Sequence, residues 1–298
     1  MEQPKFRCGY VGLIGRPNAG KSTLLNRLVG EKIAAVSNKP QTTRHRIQGI
    51  VTRGDGQIVF VDTPGVHKPG PLLNRRMMAS VHDAIMSVDL LVLMRDASVS
   101  TGNGDRFVLD LIKQSEKPAI LVLNKIDKVR EKHRLLPLME FYSKENEFAE
   151  IIPISALKGN EIDILLTEII KHLPEGEAIF SDDELTDQSM RVIAAEMVRE
   201  KILESTGEEI PYVTAVVTEL LEEVEDLIRI FCAIYVERAS QKKIIIGKQG
   251  SRLRDVGTAA RIEIEVLTGK RVYLKLFVKV VEDWRNREGT LDELGVNA

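Results

Sequence analysis

The sequence predicts an α/β protein of two domains: a larger domain with a mostly parallel sheet, followed by a smaller α+β domain. Three observations support this fold class. The chain has 298 residues, more than the ~100–150 residues of a common single domain. Short apolar runs alternate with amphipathic stretches up to about residue 172. A polar, acidic segment without periodicity then separates this part from the rest.

The first domain is predicted from five short apolar runs, each long enough for one strand. Runs that are buried on both faces and separated by helical patterns, such as residues 161–172, are typical of a parallel sheet covered by helices. Ligands bind at the carboxyl ends of such strands. The predicted strands are residues 11–14, 58–61, 90–94, 120–123 and 151–154.

The acidic segment 176–189 is predicted to be a linker between domains 1–175 and 190–298, because it is polar and has no periodicity. The second domain is predicted to contain, in order, a helix, two strands, a helix and a strand. These elements are residues 190–203, 212–221, 227–236, 251–267 and 271–280.

The composition is that of an ordinary folded protein. Hydrophobic residues make up 43% and charged residues 29%, which argues against disordered, fibrous and membrane classes. The first residues contain no apolar signal-peptide core, and no run approaches the roughly 20 apolar residues of a membrane span. We therefore expect a cytoplasmic protein. Cys8 and Cys232 lie in separate apolar runs without metal-ligand spacing and are expected to be reduced core thiols.

The charge is distributed unevenly along the chain. The formal net charge is -2, yet residues 238–287 hold thirteen Lys and Arg against five Asp and Glu. A basic end on an acidic remainder is expected where one end of a protein meets a polyanion.

Residues 15–22 match the phosphate-loop pattern G-x-x-x-x-G-K-[ST]. The pattern follows a predicted strand and precedes the helical pattern 23–28, which is the context that it requires. Backbone N–H groups of such a loop surround phosphates, while Lys21 would approach the β and γ oxygens and Ser22 would ligate Mg²⁺. The alternative, a chance glycine-rich turn, is disfavoured by the flanking elements.

A second motif, Asp-Thr-Pro-Gly at residues 62–65, ends another predicted strand. Asp62 is predicted to reach Mg²⁺ through water, and the Gly65 N–H to sense the γ-phosphate. Alone, the same four residues would be explained equally well as an ordinary turn.

The third motif, Asn-Lys-Ile-Asp at residues 124–127, is predicted to select the base. The Asp127 carboxylate can accept hydrogen bonds from guanine N1–H and N2–H₂, a pair of donors that adenine lacks. Ser155 and Ala156 follow the fifth predicted strand and are expected to supply a backbone donor to guanine O6. The predicted nucleotide is therefore GTP or GDP. The predicted nucleotide-binding residues are Gly15, Asn18, Gly20, Lys21, Ser22, Thr23, Asp62, Gly65, Asn124, Lys125, Asp127, Ser155 and Ala156.

The basic end contains a further glycine motif, G-x-x-G at residues 247–250. Two glycines permit a tight turn that nucleic-acid backbone can approach, as in the KH loop that clamps about four nucleotides. The alternative is a solvated basic helix, and Arg271 and Lys275 would equally fit the wet face of the last strand. The predicted RNA-binding residues are Ile246, Gly247, Lys248, Gln249, Gly250, Arg252, Arg254 and Arg261.

The nucleotide motifs, in this order and each at the carboxyl end of a strand, resemble the translation-factor-related class of P-loop GTPases. By that resemblance, a threonine in the segment 38–46 closes on Mg²⁺ and the γ-phosphate, and we predict Thr43 rather than Thr42. In related GTPases with this loop, the asparagine at the position of Asn18 helps hold a K⁺ ion that acts like an arginine finger. Lys21, Thr43 and Asn18 are therefore the predicted catalytic residues.

Residues 40–46 and 62–69 in the first part, with 235–250 and 283–285 in the second, resemble the bacterial Era family. The resemblance covers nearly the whole chain and implies a P-loop GTPase domain followed by a type II KH domain. It further implies a protein that binds 16S-type ribosomal RNA near its 3′ end, assists 30S subunit maturation and lies partly at the inner membrane face. No DNA partner is expected.

Four positions bear on rate and on local geometry. Val66 stands where some GTPases carry a glutamine that positions water, so slow intrinsic hydrolysis is expected. His67 is a weaker candidate for a catalytic base, because a solvated loop histidine is the simpler interpretation. Arg95 and Lys243 depart from the family's usual residues, an apolar or small residue and a glycine.

Three other functions are compatible with parts of the sequence. A P-loop ATPase or small-molecule kinase is disfavoured by Asp127, and an RNA-binding adaptor with an inactive nucleotide site by Lys21, Ser22 and Asp62. A membrane-surface GTPase that uses its basic end for anionic lipid remains open on charge alone.

Overall fold

The computed structural model describes residues 5–39, 42–44, 46–65, 70–207 and 209–296. Contacts divide the chain into two compact units. The first unit consists of Met1–Glu31, Arg46–His67 and Met78–Asp187. The second unit consists of Lys32–His45, Lys68–Met77 and Gln188–Ala298.

The first unit contains a six-stranded sheet with the order β2-β3-β1-β4-β5-β6. Every neighbouring pair is parallel except β2 and β3, which are antiparallel. The mostly parallel sheet predicted from the apolar runs is confirmed. Its strands are β1 Arg7–Gly15, β2 Ile47–Arg53, β3 Gly56–Asp62, β4 Leu90–Asp96, β5 Ala119–Asn124 and β6 Glu150–Pro153.

Strand β2 was not predicted. It lies at the edge of the sheet and pairs only with β3, and its residues Thr52 and Arg53 are half-buried. An edge strand does not need the continuous apolar run of a central strand, so its sequence resembles that of a loop. The central strands β4 and β5 are buried along nearly their whole length.

Helices connect these strands and cover the sheet. The helices are α1 Lys21–Val29, α2 Leu72–Ser87, α3 Asn103–Ser115, α4 Leu135–Glu145 and α5 Ile162–Lys171. The first residues of α2, up to Met77, belong to the second unit. No described helix is long and apolar enough to cross a membrane.

Most of the predicted linker is held by the first unit. The backbone N–H groups of Ile179 and Phe180 donate to the Gln57 side-chain oxygen at 2.8 and 3.0 Å. Further along, the Ile50 N–H donates to the Leu185 carbonyl at 2.9 Å. Residues up to Asp187 therefore follow the β2–β3 edge of the first unit.

The second unit contains a three-stranded sheet with the order β7-β8-β9, in which β7 is antiparallel and β9 parallel to β8. Its strands are β7 Ala215–Val224, β8 Leu227–Val236 and β9 Arg271–Val280. Its helices are α6 Met190–Ser205, α7 Ile210–Val213, α8 Ala239–Ile246, α9 Ser251–Thr268 and α10 Glu288–Glu293.

Helix α8 is absent from the predicted order of elements. The run Ile244, Ile245 and Ile246 is β-branched and lacks amphipathic spacing, so intrinsic propensity argues against a helix there. The helix nevertheless begins with a stabilised first turn, because the Gln241 side chain accepts a hydrogen bond from the Arg238 N–H at 3.0 Å.

The first predicted strand of this unit also began too early. Residues 212 and 213 lie in α7, and β7 starts at Ala215. Pro211 explains the difference, since proline at the start of a helix already has a suitable backbone angle and needs no donor there.

The core of the second unit lies between the inner face of this sheet and the helices. Helices α6, α8 and α9 contribute buried residues such as Val198, Ile245 and Ala260. Strands β8 and β9 contribute alternate residues, among them Ile230 and Val272. The other face of the sheet therefore carries the intervening residues.

Candidate functional site

The phosphate loop lies between β1 and α1 and is shaped by its two glycines. Gly20 has φ +103°, and a Cβ there would overlap the Asn124 side chain. A Cβ on Gly15 would lie 2.6 Å from the Met94 carbonyl oxygen. Both positions therefore require glycine, which explains their place in the motif.

Lys21, Ser22 and Asp62 come together at the first turn of α1. The Ser22 hydroxyl donates to the Asp62 carboxylate at 2.7 Å. Lys21 is buried, and its ammonium is 3.4 Å from the Gly15 carbonyl oxygen. Burial lowers the pKa of Lys21, while the Asp62 carboxylate opposes that shift. A cation, a hydroxyl and a carboxylate thus converge where a helix N-terminus favours phosphate.

The second motif begins at the end of β3 and lies against the phosphate loop. The Thr63 hydroxyl donates to the Leu13 carbonyl at 2.9 Å, which fixes the turn to β1. A Cβ on Gly65 would lie 3.0 Å from Pro17, so glycine allows the two loops to approach closely. Val66 and His67 lie outside the described residues.

Asn124 joins two loops at the end of β5. Its side-chain amide donates to the Ala19 carbonyl at 2.8 Å and accepts from the Ala156 N–H at 3.0 Å. Both side-chain ends are therefore used to hold the phosphate loop and the loop after β6 together. This arrangement assigns Asn124 a positioning role.

Lys125 extends this connection. Its ammonium donates to the Asn18 carbonyl at 2.6 Å and pairs with Asp96 at 2.7 Å. Partial burial opposes ionisation of Asp96, but hydrogen bonds from Lys125 and Ser98 hold the pKa of this carboxyl below its ordinary value. Asn18 itself is exposed and has φ +63°.

Asp127 lies at the rim with its carboxylate oriented by a neighbour. The buried Ser155 hydroxyl donates to the Asp127 carboxylate at 2.6 Å. The predicted base-binding residues of two separate motifs are thereby in direct contact.

Two interactions that hold this site were not predicted. Arg27 of α1 donates to the carbonyls of Ala156 and Leu157 at 3.3 and 2.6 Å. Asp105 of α3 pairs with Arg16 at 2.9 Å and with Arg95 at 3.3 Å. No spacing in the sequence indicates these contacts, because tertiary packing brings the partners together.

Arg95 therefore has a local structural explanation. Its side chain is buried, pairs with Asp105 and donates to the Val99 carbonyl at 2.9 Å. The departure from the family's usual small or apolar residue is accommodated by an ion pair.

The segment predicted to be the first switch makes its described contacts within the second unit. The Arg44 guanidinium is buried, donates to the carbonyls of Pro211 and Thr214 at 2.7 and 2.6 Å, and lies 5.5 Å from the Trp284 ring centre. Thr43 beside it is buried as well. The choice of Thr43 over Thr42 as a metal ligand stays a prediction.

Residues just before this segment, also in the second unit, contact α6 and α9. Lys32 pairs with Glu200 at 2.5 Å and with Glu263 of α9 at 2.8 Å. The Val36 N–H donates to the same Glu200 carboxylate at 2.7 Å.

The G-x-x-G loop connects α8 to α9. Gly247, Gln249 and Gly250 all have positive φ, at +75°, +52° and +78°. A Cβ on Gly247 would lie 2.8 Å from the Arg252 Cβ. Lys248 and Gln249 are exposed at the tip of the turn, so the loop presents polar side chains on a tightly folded backbone.

The basic residues around the loop differ in how they are engaged. Arg252 donates to the Ile244 carbonyl and so braces the loop. Arg261 pairs with Glu265 at 2.7 Å, one helical turn away. Arg254 is exposed. Ile246 packs against the core of this unit.

Comparisons with known proteins agree with this geometry. The family model described as 50S ribosome-binding GTPase matches residues 10–125, and the KH domain model matches residues 209–285. GTPase Era of Syntrophus aciditrophicus is 48% identical over 294 residues, covering 98% of this chain and 96% of that protein. GTPase Era of Ruminiclostridium cellulolyticum is 46% identical over 291 residues, with 97% of each covered.

Two solved structures are similar over nearly the full length. A point variant of Aquifex aeolicus Era bound to GDP.AlF4- has a TM-score of 0.94 at 41% identity and covers 98% of this chain and 100% of that one. Era in complex with MgGDPNP and nucleotides 1506–1542 of 16S ribosomal RNA has a TM-score of 0.95 at 40% identity, with the same coverage.

The fold and the site define a P-loop GTPase domain that is followed along the chain by a KH domain. The chain is a GTPase, and it belongs to the GTPase Era family. The family resemblance and the fold class predicted from the sequence are thereby confirmed.

Proposed function

We propose that this protein is a GTP-controlled switch that binds 16S-type ribosomal RNA near its 3′ end and assists maturation of the 30S subunit. The observation that carries the proposal is the G-x-x-G turn between α8 and α9, whose glycines at Gly247 and Gly250 have positive φ. The similarity to Era bound to 16S ribosomal RNA nucleotides supports the choice of RNA.

In the nucleotide site, Lys21 and the backbone of the phosphate loop bind the phosphates, while Asp127 accepts hydrogen bonds from guanine. Ser155 orients the Asp127 carboxylate by donating at 2.6 Å, and the Ala156 N–H lies at the same end of the site. Asn124 and Lys125 hold the surrounding loops in place. Adenine lacks the pair of donors that guanine presents to the Asp127 carboxylate, so the site favours guanine.

Mg²⁺ fits the site through the oxygens of Ser22 and Asp62. These oxygens are 2.7 Å apart and are the hard ligands that this ion prefers alongside phosphate. Mg²⁺ is usually held by one or two side chains together with the phosphates of its substrate, so phosphate oxygens would complete the ligand set. When bound, Mg²⁺ would neutralise charge on the phosphates. Thr43 is proposed as a further ligand in the GTP state.

Hydrolysis is proposed to be slow without a stimulating factor. Val66 stands where some GTPases carry a glutamine that positions water, and its aliphatic side chain cannot orient the attacking water. Asn18 is exposed on the phosphate loop and is proposed to hold K⁺ near the phosphates.

RNA would lie against the G-x-x-G turn, with its backbone close to Gly247 and Gly250. Lys248 and Arg254 are exposed and would contact phosphates. These contacts should make affinity fall as salt rises. The backbone turn clamps the chain, while unstacked bases supply sequence preference.

The protein is proposed to act in the cytoplasm, with a fraction held peripherally at the inner membrane face. The basic character of residues 238–287 supports attraction to either RNA or anionic lipid. Stronger binding to anionic liposomes than to single-stranded RNA at physiological salt would favour a membrane-surface GTPase instead.

Crosslinking to RNA in cells tests the RNA proposal. Wild type is compared with a variant that carries Gly247→Asp and Gly250→Asp, which places two charges and two Cβ atoms in the turn. The matched control is Gly269→Asp, a glycine of similar positive φ, +66°, at the other end of α9 with open space around it. Ribosomal fragments recovered from wild type and control, but not from the double variant, support the proposal. Equal recovery from all three contradicts it.

A further inference from the structure

The three-stranded sheet of the second unit has an outer face, opposite its helices, that is divided into two halves. One half is covered, because Trp284, Leu291 and Val296 pack on Ala233 and Tyr235. Leu73 and Met77 belong to the same buried cluster. Beyond this cover the outer face carries a different set of side chains.

Three aromatic rings lie together on that second half. Tyr273 and Phe277 of β9 are 52% and 37% exposed. Phe231 of β8 lies between them, with ring centres 6.2 Å from Tyr273 and 6.4 Å from Phe277. Exposed aromatic rings grouped on a folded sheet usually mark a contact surface.

A lysine completes the cluster. The Lys275 ammonium lies 5.7 Å from the Phe231 ring centre and 5.0 Å from that of Phe277. Arg229 and Arg271 are exposed on the same face, at alternate positions of their strands. We call Arg229, Phe231, Tyr273, Lys275 and Phe277 the aromatic patch.

The patch lies on the other side of the sheet from the G-x-x-G turn. In β9, Val272 and Val278 belong to the core beneath the helices, whereas Tyr273, Lys275 and Phe277 are exposed. Helices α8 and α9, which flank the turn, contribute to the core on the inner face. A ligand on the patch would therefore occupy a separate surface.

We propose that the aromatic patch is a second RNA-binding surface, on which bases of an unpaired segment stack. The inference rests on the proposed RNA-binding function of this unit. Bases stack on aromatic faces without strong sequence preference, and cations beside the rings bind the adjoining phosphates. Tyr273 and Phe277 supply faces, while Lys275 and Arg229 supply charge.

The charge of the patch favours RNA over a protein partner. Lys275 stands among the rings, where an apolar protein surface would have to bury its ammonium at a cost in free energy. Among the acidic groups nearby, Glu219 pairs with Lys279, and Glu222 lies opposite Arg229 in the strand register, so the free positive charge of the patch is that of Lys275 among the rings. A phosphate group would complement the charge of the Lys275 ammonium, which already lies over two aromatic rings.

Fluorescence anisotropy with two RNAs from the 3′ end of 16S-type ribosomal RNA tests the inference, using the full chain with a GTP analogue. An RNA of ~6 nucleotides is long enough for the G-x-x-G turn, which clamps about four, whereas one of ~20 nucleotides can also reach a second surface. The test variant carries Tyr273→Ala and Phe277→Ala. Its matched control is Tyr212→Ala, an aromatic residue of α7 that is 38% exposed.

The test variant should bind the longer RNA at least about fivefold more weakly, the loss expected when one stacked base is removed. Its affinity for the shorter RNA and its melting temperature should equal those of the control. Tyr273→Trp should keep wild-type affinity, and RNA should quench the fluorescence of the new indole, which a partly unfolded protein would not show.

Unchanged affinity for the longer RNA in the test variant would overturn the inference. If Gly247→Asp plus Gly250→Asp still abolished binding of both RNAs, the proposed function would stand while the patch inference failed. Unchanged RNA affinity together with loss of a protein from purified complexes would assign the patch to a protein partner and would also overturn the inference.

Discussion

The Ser22 hydroxyl donates a hydrogen bond of 2.7 Å to the Asp62 carboxylate, which joins the first turn of α1 to the end of β3. The two residues are 40 positions apart. Asp62 ends β3, and Ser22 lies in the helix that follows β1 and the phosphate loop. Two oxygens from different motifs are thereby placed side by side, where a divalent cation and phosphate would meet.

The first prediction concerns this pair. Ser22→Ala and Asp62→Asn should each lower Mg²⁺-dependent GTP turnover at least about tenfold, because each weakens a ligand or its partner. Turnover is measured by phosphate release across a Mg²⁺ titration. Ser143→Ala, on an exposed part of α4, is the control. Wild-type turnover in both site variants would contradict the proposed metal position.

The second prediction concerns the base. Asp127→Asn should weaken GDP binding about 100-fold, because the amide presents a donor where guanine also presents donors. Xanthosine diphosphate, which has a carbonyl at that position, should bind the variant better than GDP does. Competition for a fluorescent nucleotide measures both affinities. Asp163→Asn, an exposed carboxylate on α5, should change neither.

If the Asp127→Asn variant kept wild-type preference for GDP, this carboxylate would not read the base. Competition by ADP as strong as by GDP in wild type would instead favour an ATPase or kinase.

The third prediction concerns stability. Asp105→Asn removes the carboxylate that pairs with Arg95, whose side chain is 3% exposed. Breaking a buried pair from one side should lower the free energy of unfolding by about 3–5 kcal/mol. Denaturant unfolding measures the loss, and Asp110→Asn on the exposed face of α3 is the control. Arg95→Leu with Asp105→Leu should recover part of the stability, since no buried charge is then left unpaired, and Arg16, which also loses its partner, is 43% exposed.

A loss no larger than that of the Asp110→Asn control would show that the Arg95–Asp105 pair does not hold α3. The Arg16 side chain shares the same carboxylate at 2.9 Å. Weaker nucleotide binding is therefore expected to accompany the loss of stability.

The fourth prediction concerns K⁺. If Asn18 helps hold this ion, wild-type turnover should be several-fold faster in K⁺ than in Na⁺ buffer. Asn18→Ala should abolish the difference between the two buffers. Equal turnover of the wild type in both buffers would remove K⁺ from the proposed mechanism, leaving Asn18 a loop residue with φ +63°.

The sequence predicted the central sheet because strands such as β4 and β5 are continuous apolar runs. The motifs at the ends of these strands could then be predicted to form one site, because the carboxyl ends of parallel strands lie at the same edge of the sheet. The Asp127–Ser155 contact is the physical result of that rule. Edge strand β2 and helix α8 were missed because neither has the pattern of its element, and local pairing or capping decides each.

Partners chosen by tertiary packing were beyond the reach of sequence patterns. Arg44 lies in a segment that the order of motifs assigns to a nucleotide switch. Its guanidinium is nevertheless buried and donates to the carbonyls of Pro211 and Thr214 in the second unit. Arg95 looked like a departure in a loop and is half of a buried ion pair. Only the folded chain shows which carboxylate or carbonyl receives each arginine.

The hydrogen bonds of Arg44 within the second unit offer a way in which the bound nucleotide would change RNA affinity. We expect GTP to reorder residues 38–46 and 62–75, which would compete with the hydrogen bonds of Arg44 to Pro211 and Thr214. A ligand changes this balance only if it binds one arrangement more tightly than the other.

The most direct test of a GTP-controlled RNA switch is the affinity of the full chain for the 3′-terminal segment of 16S-type ribosomal RNA, measured in the presence of a GTP analogue and of GDP. Affinity should be about tenfold higher with the analogue, within the range of typical coupling between two sites. Identical affinities with both nucleotides would contradict the claim that GTP controls RNA binding.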